Sequence, residues 1–350
     1  MSSKTNLKTK YSTAAGLSGL YAPAESDPHT RTWMMWPTTS SIYGGAGAYH
    51  EDVQATIGRL ASAIAAFEPV FMLADKSLHE SAARHCGPNV TLLDMATDDM
   101  WARDAAPVFL RNAQGQKALL DLNFNGWGGK QKQTNDVETA KRISAFTGIP
   151  RCSTPLTGEG GGLEYDGEGT LILTESCWVN DNRNAGRTRA EIETELKFCL
   201  GIEKVIWLPG VRGKDITDGH IDGTFRIARP GLIIAGSDRE NNPEWSAAYA
   251  EGKAILARST DAKGRAFTIV EIPNAINYRS RRPNFFPGYA NYYVGNGAVF
   301  TPAFGDEKTD IHAQQTLACA FPTRKIVVLE LDRIYENGGG IHCVTQQEPS

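Results

Sequence analysis

Five short segments of the sequence combine glycines with side chains that can react or ionise. They are YGGAG (43–47), DDMWARDAAP (98–107), GEGGGLEYDGEGT (158–170), DITDGHIDG (215–223) and GGGIHC (338–343). A cysteine thiolate can attack carbon, and a histidine imidazole can exchange protons near neutral pH. The segments supply Cys343, His220 and several carboxylates, Asp104 and Glu159 among them. These residue types indicate nucleophilic catalysis at a site rich in negative charge.

Each of these residues also has a purely structural interpretation. A free cysteine is most often a small buried hydrophobe, and a lone histidine often makes only structural hydrogen bonds. Asp104 and Glu159 could be turn or cap residues. The three glycines before His342 and Cys343 nevertheless make a poor core strand, and glycine allows a ligand to approach the backbone closely.

The excess of carboxylates indicates the class of ligand. A site for amide hydrolysis needs hydrogen-bond donors around a developing negative charge. Carboxylates favour a cation instead, and two opposed aspartates suit a planar guanidinium. Trp101 could cover one face of such a group by a cation–π contact.

Several common catalytic motifs are absent from the sequence. GWGGKQ (126–131) has the wrong spacing for a phosphate-binding loop, and no glycine cluster follows the dinucleotide-binding pattern. The zinc deaminase, H-E-x-x-H and G-x-S-x-G patterns do not occur. His220 and Asp222 could ligate a metal, but no third ligand follows at a conventional spacing. We therefore expect no metal and no organic cofactor.

Composition is that of an ordinary globular protein. The 350 residues carry a formal net charge of -4, with 41% hydrophobic and 22% charged residues. This charge gives no reason to expect nucleic acid or an anionic membrane as a partner. The six cysteines are widely scattered and are expected to be reduced thiols. The first twenty residues lack the apolar core of a signal peptide, and no apolar stretch is long enough to span a membrane. We expect a cytoplasmic protein.

Hydrophobic periodicity predicts five helices separated mostly by pairs of strands. The predicted helices are 51–67, 136–146, 187–200, 243–257 and 311–321. The predicted strands are 70–73, 90–93, 118–122, 170–173, 205–208, 232–235, 267–272, 298–301 and 326–329. This order indicates a unit of strands and one helix used about five times in a single domain, with residues 1–20 as a loose N-terminal extension. A doubly wound α/β sheet is the alternative, although paired strands fit strict β-α-β alternation poorly.

The motifs, taken in order, resemble the agmatine deiminases, of the bacterial peptidyl-arginine deiminase type within the guanidine-modifying pentein superfamily. The matching motifs are MMWP (34–37), WARD (101–104), EGG with DGEGTLILTE (159–175), NDNRN (180–184), GHID (219–222), YVGNG with PAFGD (293–306) and GGGIHCVTQQ (338–347). The resemblance implies a five-bladed α/β propeller of ββαβ units with the active site on its axis. It also makes a homodimer plausible.

Matched position by position, the resemblance implies a role for each site residue. Cys343 would be the nucleophile, His220 the general acid and base, and Glu159 the carboxylate that supports the histidine and the substrate. Asp104 and Asp222 would bind the guanidinium, with Trp101 lining the pocket. The implied reaction passes through a thiouronium on the cysteine and converts agmatine and water to N-carbamoylputrescine and ammonia.

Other guanidine reactions remain as alternatives. They are deimination of arginine, of peptidyl-arginine or of another guanidino compound, transfer of the amidino group to an amine, and cation binding without catalysis. Ile216 stands where relatives of this type commonly carry an acidic residue, and Gly223 replaces the asparagine that commonly follows G-H-I-D. Arg279, Arg281 and Arg282 could bind a substrate carboxylate or could form a solvated basic loop.

Overall fold

The computed structural model describes residues 18–236 and 242–350. The predicted N-terminal extension falls almost entirely outside the described residues. Its last three residues, 18–20, are described, and Leu20 packs against a buried apolar cluster.

The described residues contain sixteen strands and eleven α-helices, several of them a single turn long. The strands are β1 (His29–Met35), β2 (Val70–Ala74), β3 (Val90–Asp94), β4 (Val108–Arg111), β5 (Lys117–Asp121), β6 (Arg151–Ser153), β7 (Glu164–Tyr165), β8 (Thr170–Thr174), β9 (Lys204–Leu208), β10 (Phe225–Arg229), β11 (Leu232–Gly236), β12 (Thr268–Ile272), β13 (Tyr293–Gly295), β14 (Ala298–Pro302), β15 (Lys325–Leu329) and β16 (Gln346–Pro349). The helices are α1 (Ala48–Ile64), α2 (His79–Cys86), α3 (Ala102–Ala105), α4 (Gly126–Gly129), α5 (Thr139–Thr147), α6 (Glu175–Trp178), α7 (Asp181–Asn184), α8 (Arg189–Leu200), α9 (Pro243–Ala257), α10 (Glu307–Ala320) and α11 (Asp332–Tyr335).

Within the described residues the strands form five separate small sheets rather than one closed sheet. Their strand orders are β16-β1-β2-β3, β4-β5-β6, β7-β8-β9, β10-β11-β12 and β13-β14-β15. In each sheet one strand has an antiparallel neighbour on one side and a parallel neighbour on the other; these strands are β1, β5, β8, β11 and β14. A parallel pair needs a crossover connection, and α1, α5, α8, α9 and α10 provide one in each sheet. The doubly wound alternative does not fit this arrangement.

The C-terminal strand completes the sheet that contains the first strand. β16 runs antiparallel to β1, with Trp33 opposite Gln346 and Thr32 opposite Gln347. Hydrogen bonding to a neighbouring strand ties down a terminus that would otherwise fray. The segment that contains Cys343 is therefore held between α11 before it and the paired strand β16 after it.

The helices pack one apolar face against the sheets. In α1, the side chains of Ile57, Leu60 and Ile64 are fully buried in the same apolar cluster as Met72 of β2. Their spacing places them on one side of a helix with 3.6 residues per turn. In the described part of the chain, no helix has both the length and the apolar character that crossing a membrane requires.

The helices and strands predicted from periodicity are all present. Helix ends differ by up to a few residues, since α1 spans Ala48–Ile64 and α10 spans Glu307–Ala320. At the start of α8, Thr188 and Glu191 form a reciprocal capping box, and at the start of α9 the Asn242 side chain accepts from the backbone N–H of Trp245. The strands that were not predicted are β1, β4, β6, β7, β10, β13 and β16.

Candidate active site

Cys343 lies in a turn between α11 and β16. Its backbone N–H donates to Oδ1 of Asn291 at 3.3 Å, and its carbonyl accepts from the N–H of Arg103 at 3.0 Å. The thiol lies 3.4 Å from Oδ2 of Asp222 and accepts a hydrogen bond from Nδ2 of Asn291 at 3.2 Å. The residue is partly buried.

Trp101 lies beside the cysteine because Gly339 leaves room for it. A Cβ atom added to Gly339 would lie 2.8 Å from Cη2 of the Trp101 ring and 3.3 Å from Cβ of Cys343. The indole therefore packs directly on the backbone of the glycine run. Any larger residue at position 339 would displace the ring.

A second glycine marks the point where three ionisable side chains meet. Gly161 belongs to a 3-10 turn, Gly160–Gly162, that follows Glu159. A Cβ atom on Gly161 would lie 2.6 Å from Nδ1 of His220, 2.8 Å from Oδ1 of Asp104 and 3.1 Å from Oδ2 of Asp222. Only glycine allows the three groups to approach this closely.

Glu159 holds the other side of the histidine ring. Its Oε2 atom lies 3.2 Å from Nε2 of His220, and both its oxygens accept from Nε of Arg183 at 2.9 Å. Burial alone would raise the pKa of Glu159, but the hydrogen bond from His220 and the charge of Arg183 outweigh burial and lower it. Glu159 is therefore ionised and orients the imidazole.

The two aspartates are held in different electrostatic states. Burial raises the pKa of Asp104 to about 6, with Glu159 and Asp222 adding to the rise and His220 opposing it. Burial would also raise the pKa of Asp222, but the hydrogen bond and charge of His342 lower it to about 2. Asp222 is a permanent carboxylate, whereas Asp104 takes up a proton in mildly acidic solution.

The thiol and the imidazole are both stabilised in their protonated forms. Burial, followed by the negative charges of Asp222 and Asp104, raises the pKa of Cys343 well above its usual value. Burial would lower the pKa of His220, but the Asp104 carboxylate, Cys177 and Glu159 together raise it well above its usual value. A positively charged ligand between the aspartates would offset their effect on the thiol and favour the thiolate.

His342 is a functional neighbour that sequence reasoning missed, although it stands next to Cys343. Its Nδ1 lies 2.7 Å from Oδ2 of Asp222, and its Nε2 lies 2.7 Å from Oε2 of Glu25. Both partners are carboxylates, whose oxygens can accept hydrogen bonds from the ring nitrogens. The guanidinium of Arg226 donates to the same Glu25 oxygen at 2.9 Å. Successive contacts thus run from Arg226 through Glu25 and His342 to Asp222, which lies next to the Cys343 sulfur.

Arg183 links the glutamate to the loop before His220. The motif NDNRN contains it, but the sequence assigned it no role. Besides Glu159, its guanidinium donates to Oδ2 of Asp218 at 2.8 Å and to the carbonyl of Thr217 at 3.0 Å. The hydroxyl of Thr217 in turn accepts from the backbone N–H of His220 at 3.0 Å. Arg183 therefore positions both partners of the Glu159–His220 pair.

Cys177 is a second thiol near the histidine that the sequence did not indicate. It is fully buried, and its sulfur lies 3.8 Å from Oε2 of Glu159. One ligand atom each from Glu159, Cys177 and His220 lie within 4.8 Å of one another, a spacing that a metal ion could use. The Arg183 guanidinium already occupies the glutamate oxygens, and its charge opposes a second cation there.

The remaining positions that the sequence singled out lie outside this cluster. Ile216 is 39% exposed on the loop before His220, and a Cβ on Gly223 would only touch the ring of Phe286, at 3.5 Å. The three arginines face other partners. Arg279 pairs with Asp332 at 2.8 Å, Arg281 donates to the carbonyl of Tyr278 at 3.3 Å, and Arg282 lies over the ring of Tyr49 at 3.9 Å.

The six residues predicted from the sequence thus lie together. Asp222 and Trp101 lie next to Cys343. Asp104, Asp222 and His220 all approach Gly161, and Glu159 contacts the other ring nitrogen of His220. They come from the C-terminal turn, from the segment around α3, and from two 3-10 turns after Glu159 and His220.

Comparison with known proteins identifies the family. Residues 21–349 match the model of the Porphyromonas-type peptidyl-arginine deiminase family. The chain is 34% identical over 367 residues to an agmatine deiminase from Medicago truncatula, covering 95% of this chain and 97% of the relative. It is 35% identical over 368 residues to an agmatine deiminase from Ectopseudomonas mendocina, covering 98% and 99%. Its fold matches the agmatine deiminase of Enterococcus faecalis with a TM-score of 0.87 at 27% identity, covering 95% and 96% of the two chains. The chain therefore belongs to the Porphyromonas-type peptidyl-arginine deiminase family.

Proposed function

We propose that this protein is a hydrolase of C–N bonds that converts agmatine and water to N-carbamoylputrescine and ammonia. The observation that carries the proposal is the Cys343 thiol 3.4 Å from the permanent carboxylate of Asp222, beside the His220–Glu159 pair. The full-length likeness to agmatine deiminases supports it.

The guanidinium group binds between Asp104 and Asp222. Paired carboxylates match its planar array of N–H donors, and each contributes a charge-assisted hydrogen bond. The Trp101 ring, packed on Gly339 beside the sulfur, covers one face of the cation. This places the guanidinium carbon next to Cys343.

The first chemical step forms a covalent intermediate. The bound cation offsets the charges of Asp104 and Asp222 that hold the thiol protonated, so the Cys343 proton passes to water. The thiolate forms a C–S bond to the guanidinium carbon. His220, charged in the free enzyme, gives its proton to the departing nitrogen, the C–N bond breaks and ammonia leaves. An S-alkylthiouronium remains on Cys343.

The second step releases the product. Neutral His220 accepts a proton from a water molecule as its oxygen attacks the thiouronium carbon. The C–S bond then breaks, the cysteine is regenerated, and the product leaves as a substituted urea. Glu159 keeps the imidazole oriented during both transfers, and no step uses a metal or an organic cofactor.

We also propose the finer architecture and setting. The five sheets are the blades of a five-bladed pentein propeller that forms one catalytic domain. A cytoplasmic location suits the six free cysteines, because Cys343 acts only when reduced.

The experiment that tests the function is ammonia release from agmatine, arginine, a blocked arginine peptide and guanidinobutyrate. Agmatine is expected to be hydrolysed by the native protein. Cys343→Ala is expected to retain agmatine binding and lose turnover, because the carboxylates remain and the nucleophile does not. Cys319→Ala, which alters an exposed thiol on α10, is the matched control and is expected to keep full activity. Substantial turnover by Cys343→Ala would contradict the covalent mechanism.

A further inference from the structure

A buried asparagine, Asn291, contacts the candidate nucleophile directly. Its Nδ2 atom lies 3.2 Å from Sγ of Cys343 and 3.3 Å from the carbonyl oxygen of Asp222. Its Oδ1 atom accepts from the backbone N–H of Cys343 at 3.3 Å. The residue is 1% exposed. One side-chain amide therefore binds both the backbone and the side chain of Cys343.

The partners of this amide determine which of its ends faces the sulfur. A half-turn would exchange the oxygen and the nitrogen of an asparagine amide, and the surrounding hydrogen bonds decide between the two orientations. The N–H of Cys343 needs the amide oxygen, and the carbonyl of Asp222 needs the NH2 group. The second hydrogen of that NH2 group can be donated to the sulfur. Asn291 thus presents a donor to Cys343 rather than an acceptor.

The backbone around Asn291 is held by contacts with distant parts of the chain. Nη1 of Arg226 donates to the carbonyl of Tyr292 at 2.7 Å. The carbonyl of Asn291 accepts from the N–H of His342 at 3.2 Å. Gly340 leaves room for the amide, because a Cβ atom there would lie 2.5 Å from Oδ1 of Asn291. The donor is therefore in place before a substrate binds.

Asp222 and Asn291 favour different forms of the sulfur. The thiol can donate to Oδ2 of Asp222 at 3.4 Å, and this contact becomes a repulsion when the thiol ionises. The contact with Asn291 becomes stronger instead, since a hydrogen bond to an anion is about twice as strong as one between neutral groups. Burial and then the charges of Asp222 and Asp104 raise the pKa of Cys343, whereas the Asn291 amide is among the groups that lower it.

We propose that Asn291 is a catalytic residue of the deimination, whose amide stabilises negative charge on the Cys343 sulfur. It acts when the thiolate forms, before the attack on the guanidinium carbon. It acts again when the C–S bond of the thiouronium breaks and its electron pair returns to the sulfur. A donor that is already in place raises the population of the attacking thiolate and stabilises the departing one. The inference rests on the proposed function and adds a residue to its chemistry.

Asn291→Asp removes the donor and keeps the size of the side chain. One carboxylate oxygen can still accept from the N–H of Cys343, but the other replaces the NH2 group next to the sulfur. The rate at which iodoacetamide alkylates Cys343, followed by mass spectrometry, should fall by roughly threefold or more, because the thiolate becomes scarcer although intrinsically more nucleophilic. For agmatine, kcat should fall by at least about tenfold and KM should not rise, because the lost donor acts on the sulfur.

Two controls show whether the effect is local. In every sample, alkylation of the exposed thiol of Cys319 should proceed at the native rate. Asn112→Asp makes the same substitution at another buried asparagine, whose amide donates to Gln116 and to the carbonyl of Ser18. It should change neither the alkylation of Cys343 nor kcat.

Gly340→Ala is a second variant that leaves the asparagine itself in the chain. The added Cβ, 2.5 Å from Oδ1 of Asn291, must displace the amide. The alkylation rate of Cys343 and kcat should therefore both fall, as in Asn291→Asp.

The outcomes separate this inference from the proposed function. Native alkylation of Cys343 and native kcat in Asn291→Asp would overturn the inference and leave deimination intact. Loss of the cooperative thermal transition in both variants would also overturn it, because Asn291 would then have a structural role. If the native protein hydrolyses no guanidine, the proposed function fails, and the alkylation rates still decide whether Asn291 stabilises the thiolate.

Discussion

At the scale of single residues, the site depends on two buried aspartates whose pKa values shift in opposite directions because their neighbours differ. Asp222 keeps its charge because His342 donates to it at 2.7 Å, whereas Asp104 receives hydrogen bonds from neutral donors, Trp127 at 2.8 Å and the N–H of Gly161 at 3.1 Å. The Nδ1 atom of His220 is further from Asp104, at 3.7 Å. A full positive charge stabilises a carboxylate more than a neutral donor does. The guanidinium clamp is therefore complete only when Asp104 is also ionised.

The pH dependence of activity should report Asp104. Its pKa is raised to about 6, so below that pH it is neutral and attracts the guanidinium less strongly. We expect kcat/KM to fall as pH decreases through about 6, since this parameter reports ionisations of the free enzyme. Asp104→Asn should remove this limb and lower kcat/KM at neutral pH by roughly 30-fold or more. Retention of the same acid limb in Asp104→Asn would assign it to another group.

His342 should act as a positioning residue for Asp222. His342→Gln removes a positive charge and one of its two donors to carboxylates, so the pKa of Asp222 should rise. We expect kcat/KM at neutral pH to drop by roughly tenfold or more, and the acid limb of the pH profile to steepen below about 6, where Asp222 then takes up a proton in addition to Asp104. His312→Gln, on the exposed face of α10, should change neither. A loss of activity with no change in the slope of the acid limb would indicate a merely structural role.

At the scale of elements, short turns rather than long helices bring the reacting groups together. The turn Gly160–Gly162 places Glu159 on one side of His220 and Gly161 on the other. The turn Ile221–Gly223, with His220 as its N-cap residue, presents Asp222 to the sulfur. The residues before the two turns, Glu159 and His220, are held by buried hydrogen bonds to each other, to Arg183 and to Thr217. We therefore expect small backbone changes in the turns to lower the catalytic rate more than the free energy of unfolding.

Gly161→Ala tests this view of the turn. The added Cβ would lie 2.6 Å from Nδ1 of His220 and 2.8 Å from Oδ1 of Asp104, so these side chains must move. Because a displacement of about 1 Å at reacting groups can cost about 100-fold, we expect kcat/KM to fall by at least that factor. Gly223→Ala, where the added Cβ makes only an ordinary contact at 3.5 Å, is the matched control. Equal activities of the two variants would show that Gly161 does not border the reacting groups.

At the scale of the whole molecule, β16, which follows the candidate nucleophile, connects to β1 and to a second sheet. Glu348 of β16 is 2% exposed and accepts from Trp33 of β1 at 3.1 Å. It also pairs with Arg31 at 3.2 Å and with Lys117 of β5 at 3.1 Å. One buried carboxylate thus connects β16 to two sheets.

Glu348→Ala should destabilise the protein as a whole. Removing one partner of a buried ion pair leaves the others without compensation, so the free energy of unfolding should fall by about 3 kcal/mol. Glu80→Ala is the control, because its pair with Arg84 is largely exposed and should contribute less than about 1 kcal/mol. Chemical denaturation of both variants measures the difference. Similar values for the two would mean that the Glu348 contacts contribute no more than a surface pair.

The sequence by itself determined the long elements and the candidate site residues. Apolar periodicity predicts α1 and α9 because a buried helix face repeats every 3.6 residues, and strands such as β8 (TLILT) are continuous apolar runs. Cysteine, histidine and carboxylates among clustered glycines were candidates for a site although each also had a structural interpretation, and the resemblance to one family implied the roles of all six residues. Their combination in order also resembles one family. Periodicity and motif order can both be read directly along the chain, without knowing which residues meet in space.

Only the tertiary structure decided the short strands and the electrostatic states. β7 has two residues and β16 reads QQEP, so neither carries a period; β16 is buried only because β1 pairs with it. Likewise, nothing near Asp222 in the sequence indicates that His342, 120 positions away, lowers its pKa to about 2. A pKa depends on the charges and the burial around a group, and folding alone brings those neighbours together from distant parts of the chain.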